Sequence, residues 1–177
     1  MDESLHHLQG QTELVTHAEL LDLLQTFYRD TLQLVQARQA NAGLISAYDA
    51  NNAYQQVLGR QETHLQWLSD AITDMGGVPA ESPPNSSEAL PADGQREFAA
   101  VVERDLKSQR TFMDRWSARL PSLTNARHRK MLELILGEMG EHARVFGQAL
   151  EGRTDLLGRH ADGKVLRGSV LPTRPRN

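Results

Sequence analysis

Apolar residues recur at intervals of three and four along four stretches of this chain, the period of amphipathic helices. Residues 13–38 place Leu14, Ala18, Leu21, Gln25, Tyr28, Leu32 and Val35 on one stripe, apolar except at its middle, with Thr16 and Glu19 spaced as a capping box. Residues 47–76 repeat the pattern with Tyr54, Val57, Gln61, His64, Leu68, Ala71 and Met75. Ser46 or Asp49 can cap its start, and Gly76-Gly77 followed by Pro79 stops it. Residues 93–119 carry Phe98, Val102, Asp105, Gln109, Phe112 and Trp116, and end at Leu120-Pro121. Residues 123–152 carry Leu132, Ile135, Glu138, His142, Val145 and Ala149, flanked by Met131, Met139 and Phe146.

No stretch between these helices alternates as a strand would, so the expected fold class is all-α, with four stripes of matching length closing around one core. The first and second helices, and the third and fourth, have short connections and should form antiparallel hairpins. The segment 77–92 between the pairs holds four of the chain's seven prolines and no period, which makes it a loop. Fully extended it reaches roughly 50 Å, whereas a helix of about 27 residues is roughly 40 Å long. The link can therefore run the length of the bundle as one long crossover and set the second and third helices parallel. A plain up-down bundle with an overlong loop fits the same lengths.

At 177 residues, 39% apolar and 24% charged, the chain has the make-up of one domain with a sizeable core. The expected division is a flexible N-terminus at 1–12, the bundle at 13–152 and an extended basic tail at 153–177. Charge divides the same way: 13 basic and 21 acidic side chains up to residue 152, a net of −8, against 6 basic and 2 acidic beyond it, a net of +4. An acidic body makes a poor nucleic-acid binder. The tail reads either as a solvated terminus or as a docking segment for a protein partner. No apolar run approaches the roughly 18 residues of a membrane span. The first residues also lack the order of a secretory signal, so the cytoplasm is the expected location. The absence of cysteine removes disulfides, thiolate sites and cysteine nucleophiles, leaving imidazole and carboxylate as the expected metal ligands, a set that favours iron, manganese or zinc over soft-metal chemistry.

Two histidines supply the candidate chemistry. His64 and His142 stand at the middle of the second and fourth stripes, with Gln61 three residues before the first and Glu138 four before the second. The inward positions Gln25, Tyr28, Asp105 and Gln109 complete a polar layer across the bundle. The segment RQETHLQWLSDAITDMGGVP at 60–79 resembles the second helix of bacterioferritin- and rubrerythrin-type proteins, where Glu-x-x-His is followed by further helix and a Gly-containing stop. GEMGEHARVF at 137–146 is similar to the corresponding fourth-helix motif. The resemblance spans residues 13–152 and implies a ferritin-like bundle with a single crossover. It further implies two metal ions, usually iron, held by one carboxylate from each of two helices and Glu-x-x-His from each of the others. A homo-oligomer formed through the outer faces of the first two helices is implied as well.

The chain departs from that pattern at the carboxylates. Gln61 stands in place of the first Glu and Met139 in place of the second; Glu138 and Glu141 flank Met139 out of register. Glu62 lies about 100° further round its helix than Gln61. On the first and third helices only Asp105 is an inward charged donor, with Asp22 or Glu19 available if the first helix is rotated. Carboxylates are what offset the repulsion between two buried cations. The set therefore favours a single iron or manganese ion held by His64, His142, Glu138 and Asp105. Gln61, Glu62 and Glu141 are the further candidate ligands, and Tyr28 a candidate relay or hydrogen-bond donor. Three readings from different classes follow. One is an iron or manganese protein with an altered or partial di-metal centre, reacting with oxygen or peroxide. Another is a metal-free bundle whose polar layer fixes register and which binds partners through its tail. The third is a carrier of an apolar or haem-like ligand.

Overall fold

The computed structural model describes residues 16–45, 47–81, 94–153 and 156. The expectations for residues 1–12, for most of the 77–92 link and for nearly all of the basic tail lie outside them. Within the described residues the chain forms α1 (His17–Ala42), α2 (Tyr48–Asp74), α3 (Gly94–Ser117), a short 3-10 turn (Leu120–Ser122) and α4 (Ala126–Leu150). The all-α expectation holds there, and no helix among these residues is long and apolar enough to cross a membrane.

Local chemistry sets the helix ends. Thr16 and Glu19 form the reciprocal capping box anticipated from their spacing, so α1 begins at His17 rather than at residue 13. Asn125 caps α4 by accepting from the His128 N–H. The Ala47 N-cap makes no side-chain hydrogen bond to α2 and Asp49 sits in the first turn without capping it; Ser46, the other expected cap, lies outside the described residues. The α2 C-terminus closes as a Schellman turn: Gly76, at φ 76°, donates to Thr73 O, and Gly77 donates to Ile72 O. A Cβ on Gly77 would come within 2.6 Å of Leu21 Cδ1, so glycine also lets α1 pack tightly against this turn. His17 and Gln25 hold the same end through the Met75 and Val78 carbonyls, at 3.1 and 3.3 Å.

α1 packs on α2 and α3, and α4 packs on α3 and α2. Each of these pairs is antiparallel. His17 meets Met75 while Asn51 meets the Ala42 carbonyl; Asp30 meets Arg115 while Arg38 meets Gln109; Tyr54 meets Phe146 while Asp74 meets Arg127. The core divides in two. One apolar cluster, centred on Leu24, Phe27, Leu68, Phe112, Trp116 and Ile135, fills one end. The other, centred on Leu32, Val35, Tyr54, Val57, Val102 and Phe146, fills the opposite end. A polar position separates them on every helix: Thr31, then Gln61 and His64, then Gln109, then His142.

The face of α1 differs from the expected stripe. Leu32 and Val35 are buried as expected, but in the first half of the helix the buried positions are Leu20, Leu24 and Phe27, turned by about one residue from Leu21, Gln25 and Tyr28, and Thr31, Arg38, Asn41 and Ala42 are buried as well. Leucines crowd both faces of this helix, and Leu21, Leu23 and Leu34 also pack in part against the core, so periodicity alone does not choose between the two faces. Gln25 therefore faces the end of α2, and Phe27 enters the core in the place expected for Tyr28. Tyr28 is half-buried, with its ring against both apolar clusters.

Candidate metal centre

The middle of α2 delivers His64 and Gln61, one turn apart, to the bundle interior, and both are fully buried. From α4, His142 brings its ring to 6.4 Å from that of His64, centroid to centroid, with the planes 25° apart. The spacing on the two stripes thus brings both imidazoles to one level, as expected. His142 is half-buried rather than enclosed.

Glu138 does not join the rings as an equal. It lies behind His64, with Oε2 2.7 Å from the His64 Nε2, and both its oxygens accept from the Arg60 guanidinium. An ionised carboxylate only accepts, so the proton of a neutral His64 sits on Nε2 and the lone pair on Nδ1. That Nδ1 is buried without a hydrogen-bond partner, and so is Nδ1 of His142. Both amide atoms of Gln61 share this condition. Unpartnered buried polar atoms are uncommon and mark places where water, an ion or a ligand belongs.

Burial keeps both imidazoles neutral at physiological pH. It pulls the His64 pKa down against the opposing pull of Glu138. His142 falls to about 4, mainly through burial, with the Arg38 and His64 charges adding to it. Glu138 is held at about 2, chiefly by its hydrogen bonds to Arg60, with burial opposing and His64 assisting. Its folded value thus lies below its ordinary 4.5. The stabilisation is therefore complete above that value and lost as pH falls towards 2. Urea titrations between pH 2 and 5 should show the wild type losing stability in this window while Glu138→Gln stays flat by comparison. At pH 7 that variant should cost about 1.5–3 kcal/mol, the range for a hydrogen bond to a charged group.

A second buried network lies beside the first. Asp105, 3% exposed, accepts from the Tyr54 hydroxyl and faces Arg38 Nε at 4.0 Å. Arg38 is itself 1% exposed, donates to the Gln109 carbonyl oxygen and lies 5.2 Å above the Phe146 ring. Gln109 then donates to the Met139 carbonyl. Burial raises Asp105 to about 6 against the pull of Arg38, and lowers Arg38 to about 10. At neutral pH both are charged and matched.

The remaining candidates stay outside. Glu62 is on the exposed face of α2, accepting from Gln39 at 2.9 Å, and Glu141 pairs with Arg144 on the surface of α4. Of the carboxylates considered for α1, Glu19 is consumed by its cap and Asp22 is exposed. Among the described residues no three His, Asp or Glu side chains converge on a point that could hold an ion. The groups that do come together are the two imidazole rings, 6.4 Å apart. Arg38 and Arg60 escaped the sequence reading, and Tyr54 was placed on the inward stripe without its bond to Asp105. Arg38 lies on the true α1 face, at helical spacing from Phe27 and Thr31, and was concealed by the misplaced stripe. Arg60 adjoins Gln61 but reaches across to α4.

No family model, no curated protein and no solved structure matches this chain.

Proposed function

We propose that the chain is a ferritin-like four-helix bundle that holds one metal ion between His64 and His142. The observation carrying this reading is the pair of buried, unpartnered Nδ1 atoms on rings 6.4 Å apart. A metal–imidazole bond measures about 2.0–2.1 Å, so rings at this spacing leave room for one ion between them. The carboxylate behind His64 adds to it. Metal-bound histidines habitually give their other N–H to such a group, which fixes tautomer and orientation, and Arg60 locks Glu138 in that role.

Packing order supports the ferritin-like part. α1 is antiparallel to both α2 and α3, so α2 and α3 run the same way and touch across the bundle through Tyr54 and Asp105. Parallel second and third helices are the arrangement of bundles with one long crossover. A two-ion centre does not fit these residues. The positions where the motif has Glu hold Gln61 and Met139, and the two nearby acids are already matched by Arg60 and Arg38. Two dications would face each other with no free carboxylate between them.

Equilibrium dialysis of the purified chain against a panel of transition metals, followed by elemental analysis, tests the reading. One equivalent should be retained per chain, and His64→Ala combined with His142→Ala should abolish it. Retention by the double variant, or no retention by the wild type, would overturn the assignment.

A further inference from the structure

Building on the two-histidine reading, we propose that the bundle centre selects a soft monovalent ion, copper(I), over iron(II), manganese(II) and zinc(II). The first argument is charge. Arg60 and Glu138 neutralise each other, as do Arg38 and Asp105, and the two imidazoles are neutral. The interior is therefore balanced before any ion enters. A dication would leave two uncompensated positive charges beside two guanidinium groups, in a medium where the cost of a buried charge rises as its square, about fourfold over a monovalent ion.

The second argument is the donor set. Zinc sites take about four protein ligands, or three and a water; manganese and iron(II) sites draw on carboxylates. Here no third His, Asp or Glu joins the pair among the described residues. One helical turn before each histidine stands a neutral side chain: the Gln61 carboxamide, whose two polar atoms are unpartnered, and Met139, fully buried in the adjoining apolar cluster. Imidazole and thioether are ligands that copper(I) accepts, and with neutral donors it needs only roughly two or three of them. The absence of cysteine also means that no thiolate elsewhere in the chain competes for the ion.

Anaerobic titration with copper(I) supplied from bicinchoninate, with and without about a tenfold excess of zinc(II), provides the test. One equivalent of copper(I) should transfer to the wild-type chain and stay there in the presence of zinc. It should be lost from His64→Gln combined with His142→Gln, with helix content followed by circular dichroism. If that pair fails to fold, Glu138→Gln keeps both rings and should weaken copper(I) binding about 10–100-fold by releasing His64 from its carboxylate. Displacement of copper(I) by zinc at the same histidines would leave the two-histidine site standing and overturn its monovalent selectivity. Binding of neither ion would overturn both, and copper retained by the double glutamine variant would place it elsewhere.

Discussion

Asp105→Asn should destabilise the fold by about 3–5 kcal/mol, the cost of stranding a buried charge. The substitution preserves shape and leaves an oxygen to accept from Tyr54. It removes the only carboxylate that faces Arg38 among the described residues, and Arg38 is 1% exposed. Its remaining partners are the Gln109 carbonyl oxygen and the face of Phe146, which are dipoles rather than a counter-charge. Urea denaturation monitored by far-ultraviolet circular dichroism would measure the loss. The complementary experiment removes both charges. Arg38→Met with Asp105→Leu should recover most of the stability, because the ionic pair is a poor stabiliser relative to an apolar pair of similar volume. Additive losses in the double variant would mean that the two residues do not act as a pair.

Trp116→Ala should cost a comparable amount, about 3–5 kcal/mol, for a different reason. Trp116 is fully buried at the end of α3, with its ring 4.7 Å from Phe27 and 6.2 Å from Phe112. Its indole N–H donates to Asp30 at 3.1 Å, and the Arg115 and Arg119 guanidiniums lie over its face. Removing the ring leaves a cavity that rigid aromatic neighbours and the 3-10 turn cannot close. Trp116→Phe refills much of that volume and gives up only the Asp30 bond and part of the cation contact, so its cost should be the smaller. Because Trp116 lies in the apolar cluster away from the histidines, the loss should leave metal stoichiometry unchanged wherever the variant remains folded.

The stripes on α2 and α3 were legible from periodicity because polar residues flank them, whereas on α4 the buried face takes in Leu136, Met139 and Phe146 beside the expected stripe and leaves Glu138, His142 and Val145 half-buried. Tyr54, Gln61, His64, Asp105, Gln109 and Phe112 are all buried as their spacing requires. α1 was not, since leucines on both sides of the helix make two faces almost equally apolar, and tertiary packing settles the choice. That ambiguity hid Arg38 and placed Gln25 and Tyr28 a step too far inward. At the site, the level shared by His64 and His142 follows from helix geometry and could be read in advance. The part played by Glu138 could not. A residue four before His142 can ligate the same ion or stand behind the opposite ring, and the reach of Arg60 from the facing helix is what assigns it to the second role. Spacing along one helix carries no information about a long side chain arriving from another.

Anomalous diffraction from crystals of the metal-loaded chain tests the central claim most directly. The expected result is one peak in the bundle interior, within bonding distance of an imidazole nitrogen of both His64 and His142, with Glu138 still held by Arg60. A peak at an exposed histidine such as His17, two peaks in the interior, or no peak between the rings would contradict it.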